Sequence, residues 1–230
     1  KIAQIAPLME SVPPRLYGGT ERIVSHLTEE LVRQGHEVTL FASGDSTTNA
    51  RLSACCPRAL RLASVRDPLP YYMAMLDQVR RTADSFDILH FHIDQLQCPI
   101  FHDGPVPTLT TLHGRQDLPD LAYLYRSFPD MPLVSISNAQ RKPVPHANFA
   151  GTVLHGLPLD HLAPNLRKNG AYLAFLGRIS PEKRVDRAIA IAQAVGLPLK
   201  IAAKVDRADE EYFRGVAPLL NQDGVEFIGE

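Results

Sequence analysis

Short apolar runs alternate with helix-spaced segments along the whole chain, and no other feature limits its fold as much. Residues 1–7 form an apolar run with strand character that stops at Pro7. A loop holding Pro13, Pro14, Gly18 and Gly19 follows. Ile23, Val24, Leu27, Leu31 and Val32 then recur at helical spacing, with Thr20 positioned to cap the helix and Gly35 to close it. Residues 36–42 return to an apolar run. A strand–helix–strand unit of this kind implies parallel strands. The same reading places further strands over 59–63, 87–92, 108–112, 133–136 and 152–154. It places helices over 71–83 and 118–126, and makes Ser137 the cap of another.

The pattern breaks at 160–170, a polar, proline-containing stretch that reads as a linker. It restarts with strands expected over 171–176, 199–203 and 225–228 and helices over 181–194 and 209–220. Two domains follow, 1–165 and 166–230. A three-strand half-sheet of about 60 residues buries little surface alone, and an open doubly wound sheet normally has a second half. The chain therefore reads as one full domain and the first half of a second, starting at Lys1 rather than Met.

Charge and composition exclude several classes. Lys and Arg total 24 against 25 Asp and Glu, which argues against a dedicated nucleic-acid binder. No apolar run reaches the ~18 residues of a membrane span, and Gln4 and Glu10 interrupt the N-terminal run that a signal peptide would need. The 20–34 helix carries Arg22 and Arg33 against Glu21, Glu29 and Glu30, so peripheral membrane contact is not indicated. Cys55, Cys56 and Cys98 form no C-x-x-C pair and read as idle thiols of a cytoplasmic protein.

Four motifs could carry chemistry. Gly18 and Gly19, ahead of a helix, allow backbone N–H groups close to an anion, or simply make a tight turn. In Gly177-Arg178-Ile179-Ser180-Pro181-Glu182-Lys183, Ser180 reads as an N-cap and Pro181 as the first helical residue. Arg178 and Lys183 would then sit at the positive end of a helix, where acids belong. A bound diphosphate would repair that conflict, as would ion pairs with Glu182 or Glu226. His90, His92 and Asp94 share one face of a strand end at period two and could hold a metal, or form a hydrogen-bonded polar terminus. His113-Gly114 ends an apolar strand, where open α/β sheets bind ligands. The 135–139 segment lacks the G-x-S-x-G elbow of a nucleophilic serine.

Taken in order, Tyr17-Gly18-Gly19-Thr20-Glu21-Arg22, Gly35-His36-Glu37-Val38, Asp87-Ile88-Leu89-His90-Phe91-His92, Thr111-Leu112-His113-Gly114, Ser135-Ile136-Ser137-Asn138 and Gly177 to Lys183 resemble the family 4 glycosyltransferases. The resemblance implies the α/β GT-B architecture: a Rossmann-like N-terminal domain with a parallel sheet, then part of a second. It implies transfer of a sugar from a UDP-, GDP- or ADP-linked donor, with retention of configuration. The acceptor would be a saccharide, lipid or small molecule. Arg178 and Lys183 would hold the donor diphosphate, Gly18 and Gly19 would approach it, and His113 would lie near the transferred sugar. His90, His92 and Arg115 are candidates for the acceptor side. No cofactor or metal is implied, since fixed cations and helix dipoles neutralise the leaving group. Two departures stand out. The family's acidic pair lies beyond residue 230, so this stretch alone is expected to be inactive, and Arg184 stands where the family commonly has glycine. Two other classes remain open: a metal-dependent hydrolase on His90, His92, Asp94 and His113, and a non-catalytic nucleotide-binding module.

Overall fold

The first seven residues contribute the strand β1 (Ile2–Ile5), which becomes the centre of the larger sheet. The computed structural model describes residues 1–159, 170–206 and 209–229, and they divide into two compact units with the boundary inside 160–169. The expected linker over 160–170 falls, but for its last residue, outside the described residues.

In the first unit, β1 leads to α1 (Gly19–Arg33) and β2 (Val38–Ser43). Then come β3 (Arg51–Cys56), α2 (Leu69–Thr82), β4 (Ile88–Phe91) and the single turn α3 (Cys98–Phe101). The unit closes with β5 (Thr108–Leu112), α4 (Leu121–Ser127), β6 (Leu133–Ser135), α5 (Asn138–Arg141) and β7 (Phe149–Thr152). All its strand pairs are parallel, in the order β3-β2-β1-β4-β5-β6-β7. The winding reverses direction at β1, where β4 pairs on the other side, and ligands of open α/β sheets bind beyond the strand ends at such a point.

Period two divides the strands between the faces of this sheet. Ala3, Ile5, Phe41, Leu89 and Phe91 pack with Met75, Leu76 and Val79 of α2. Ala6, Leu40 and Ala42 pack on Val24 of α1. Gln4 and His90 take the alternate positions on adjacent strands, in register with each other. They put polar side chains into the second, otherwise apolar face.

The second unit is smaller. It contains β8 (Leu173–Arg178), α6 (Val185–Val195), β9 (Leu199–Lys204), α7 (Glu210–Leu220) and β10 (Val225–Gly229). Its sheet is parallel in the order β10-β9-β8, with a core of Ile179, Val185, Ile189, Leu199, Ile201 and Val216. The α/β class with parallel sheets in two units thus stands as expected.

Three local expectations are corrected. The strand over 59–63 is a turn; the edge strand is 51–56 instead, half polar because it has one neighbour and one covered face. Thr20 does not cap α1: Gly18 occupies that position and no side chain caps it. The helix expected from Pro181 begins at Val185. Residues 181–183 form a turn in which the amides of Lys183 and Arg184 bond to the Ser180 carbonyl.

Candidate functional site

Polar side chains gather where β1, β4 and β5 end, and they form a continuous chain of hydrogen bonds. The Gln4 amide lies between two imidazoles: its Nε2 is 3.3 Å from His90 Nδ1 and its Oε1 2.8 Å from His92 Nε2. His90 Nε2 meets Thr111 Oγ1 at 2.8 Å, and His92 Nδ1 meets His113 Nε2 at 2.9 Å. His155 lies against His113, with ring centroids 5.2 Å apart. Burial pulls His90 and His113 down to about 4 and His92 well below the usual histidine range, so the three rings are neutral near pH 7.

This geometry places the sequence candidates differently. His113 stands at the carboxyl end of β5, and its Nδ1 is buried and makes no hydrogen bond. His92 is 2% exposed with both ring nitrogens engaged, so it bears on a ligand only through His113. Arg115 is exposed and forms a two-pronged pair with Asp117, at 2.6 and 2.9 Å. His113, Arg115, Gln116, Ser137 and Gln140 line a shallow cleft of about 390 Å³ beyond β5 and β6. A hollow of similar size, about 410 Å³, is lined by Lys1, Glu37, Arg51 and Phe86 at the amino ends of the strands, the wrong edge for a ligand.

Gln140, which no motif singled out, stitches the cleft together. Its Nε2 donates to the carbonyls of Leu112 (2.9 Å) and Gly114 (2.6 Å), and its Oε1 accepts from the Ile136 amide. Ser137 caps α5 as expected, its Oγ accepting from the Gln140 amide.

A metal site on His90, His92, Asp94 and His113 is not formed. Among the described residues no three His, Cys, Asp or Glu side chains converge to hold an ion, and both nitrogens of His90 and of His92 are committed to hydrogen bonds. The three cysteines are free, and burial pushes the Cys55 thiol up to about 12 and Cys98 to about 11, which favours the protonated, less nucleophilic form of both.

Gly18 and Gly19 meet different surroundings. A Cβ on Gly18 would lie 2.7 Å from Pro14 Cβ and 2.9 Å from Glu21 Oε2; a Cβ on Gly19 would meet nothing within 4 Å. Open space thus lies over the first turn of α1 at Gly19. Beneath it is a charged cluster that no motif revealed. The buried Glu10 holds Arg61 at 2.9 Å, and the Arg61 Nη1 also donates to the Tyr17 carbonyl at 2.8 Å.

In the second unit, Arg178 ends β8 and lies between Glu182 and Asp209, whose Oδ2 is 2.9 Å from its Nε. Lys183 is exposed and joins no ion pair among the described residues. Glu226 pairs with Lys200 instead, at 3.1 Å. Arg184 takes the left-handed conformation, φ 57°. Its guanidinium grips both oxygens of Asp186 (2.9 and 2.7 Å), and Tyr212 donates to the same carboxylate at 2.8 Å.

Comparisons with known proteins bear on the family and the fold. The family model described as Glycosyltransferase Family 4 matches residues 17–197. The crystal structure of AviGT4, a glycosyltransferase involved in avilamycin A biosynthesis, superposes with a TM-score of 0.67 at 24% identity. It covers all of this chain, and the chain spans 63% of its length. MurG of Acinetobacter baumannii (TM-score 0.46, 13% identity, 100% of this chain and 66% of that one) is a more distant likeness. So is UGT89C1 of Arabidopsis thaliana complexed with UDP-L-rhamnose (0.42, 13%, 91% and 67%). No curated protein sequence matches. No helix among the described residues is long and apolar enough to cross a membrane.

Proposed function

The chain belongs to glycosyltransferase family 4, and from that premise we propose that it moves a sugar from a nucleotide-sugar donor to an acceptor with retention at the anomeric carbon. The observation that carries this reading is the end of β8, where Arg178, held between Glu182 and Asp209, and Lys183, which joins no ion pair among the described residues, flank a single tight turn. Negative charge grows on the departing diphosphate as the glycosidic bond breaks, so fixed cations there lower the barrier directly. Arg178 and Lys183 supply that charge in this reading, without a metal. In this reading Asp209 stays against the Arg178 Nε, and a phosphate would take the place that Glu182 holds on its Nη2.

On the first unit, the open space over Gly19 suits a phosphate approaching the amides that begin α1. His113 offers a hydrogen-bonding group to the sugar. The cleft beside Arg115 and Gln116 would take the acceptor, whether saccharide, lipid or small molecule. The reaction would take place in the cytoplasm. In this reading residues 1–230 alone would not turn over; they span 63% of the AviGT4 chain.

Calorimetric titration of the protein with UDP, GDP and ADP tests the reading. One nucleotide should bind, and Lys183→Ala should weaken it by about 1.5–3 kcal/mol, the worth of a charge-assisted contact. Absence of binding by all three nucleotides to the full-length protein would overturn the reading. Binding without sugar transfer to any acceptor would instead make the protein a nucleotide-binding module.

A further inference from the structure

We infer that Gln4 is a positioning residue: acting through His92, it fixes His113 as the Nε2–H tautomer and leaves the Nδ1 lone pair to accept a hydrogen bond from a substrate hydroxyl. The sugar identity of that hydroxyl rests on the transferase reading; the tautomer does not.

Hydrogen-bond direction fixes the tautomers one after another. A neutral imidazole has one donor and one acceptor nitrogen. Gln4 Oε1 can only accept, so His92 Nε2 carries the proton and its Nδ1 must accept. The nitrogen that faces it, His113 Nε2, is therefore the donor. His113 Nδ1 is left with its lone pair, and it is the buried atom that has no partner. On the other side, Gln4 Nε2 donates to His90 Nδ1, and His90 Nε2 donates to Thr111 Oγ1. One amide thus sets the proton on three rings.

Reversing that amide would reverse every bond in step and leave a buried N–H at His113 Nδ1. Orphaned N–H donors are rarer in folded proteins than unmet acceptors, which favours the tautomer with the bare Nδ1. It also casts His113 as an acceptor toward ligand and excludes it as a proton donor through Nδ1. A substrate hydroxyl donating to Nδ1 would complete the network.

Histidine-15N long-range spectra of the protein near pH 7 read the tautomers directly, with His113→Gln to assign the ring. His92 and His113 should both be Nε2–H. Gln4→Glu accepts on both sides as a carboxylate, so it should keep Nε2–H on His92 and on His113 and put a proton on His90 Nδ1. Gln4→Met frees His92 and should give mixed tautomers at His113. It should also lower kcat about tenfold, as loss of one oriented hydrogen bond does, while nucleotide affinity stays unchanged. A wild-type His113 protonated on Nδ1, or a Gln4→Met spectrum unchanged at His113, would overturn the inference. Failure of all three nucleotides to bind would sink the transferase reading and leave the tautomer result standing.

Discussion

Two adjacent glycines that look alike in the sequence have separate jobs. Gly18 is packed, since its missing Cβ leaves room for Pro14 and the Glu21 carboxylate. Gly18→Ala should therefore destabilise the protein by about 1–3 kcal/mol, the usual cost of overpacking, as read by urea denaturation. Gly19→Ala meets open space and should change stability by less than about 0.5 kcal/mol, yet weaken nucleotide binding if phosphate approaches there. A motif could mark the pair but not divide it, because the neighbour that matters, Pro14, is set by the loop. Arg184 is the opposite case: a departure visible in sequence whose remedy was not. Its left-handed backbone is strained for a side chain, and the Asp186 grip offsets that strain. Arg184→Gly should then melt close to the wild type, while Arg184→Ala, which keeps the strain and loses the grip, should melt clearly lower.

Elements were legible where periodicity was strong. The α2 helix and strands β5 and β9 fall within two residues of the sequence reading because each has a long apolar stripe or run. The failures share a cause. Edge strand β3 is half solvated and carries no clean alternation, and α3 is one turn, too short for a period. The start of α6 was misplaced because Pro181 fits a first helical position equally well as a turn. The histidine network was half legible: period two put His90 and His92 on one face, but Gln4 lies 86 residues from His90 and follows no motif.

For the whole molecule, the buried histidines set an acid limit. Unfolded rings take up protons near pH 6.5, whereas folded His90 and His113 resist until about 4. Stability is thus fully present above pH 6.5 and is lost as pH falls toward 4, by roughly 3 kcal/mol for each of the two rings, with His92 adding in the same sense. Denaturation midpoints at pH 7.5, 6 and 5 should fall in that order, and His90→Gln should flatten the decline. The position of β1 has a consequence for synthesis. Both of its partners follow it in the chain, and Ile2–Ile5 must pair with 88–91 as well as with 38–41. The nascent chain therefore carries a half-paired strand through the making of some fifty further residues, a stretch in which such edges attract wrong partners. The pairing that ends this exposure also brings Gln4 to His90 and His92, before β5 adds Thr111 and His113 to the network.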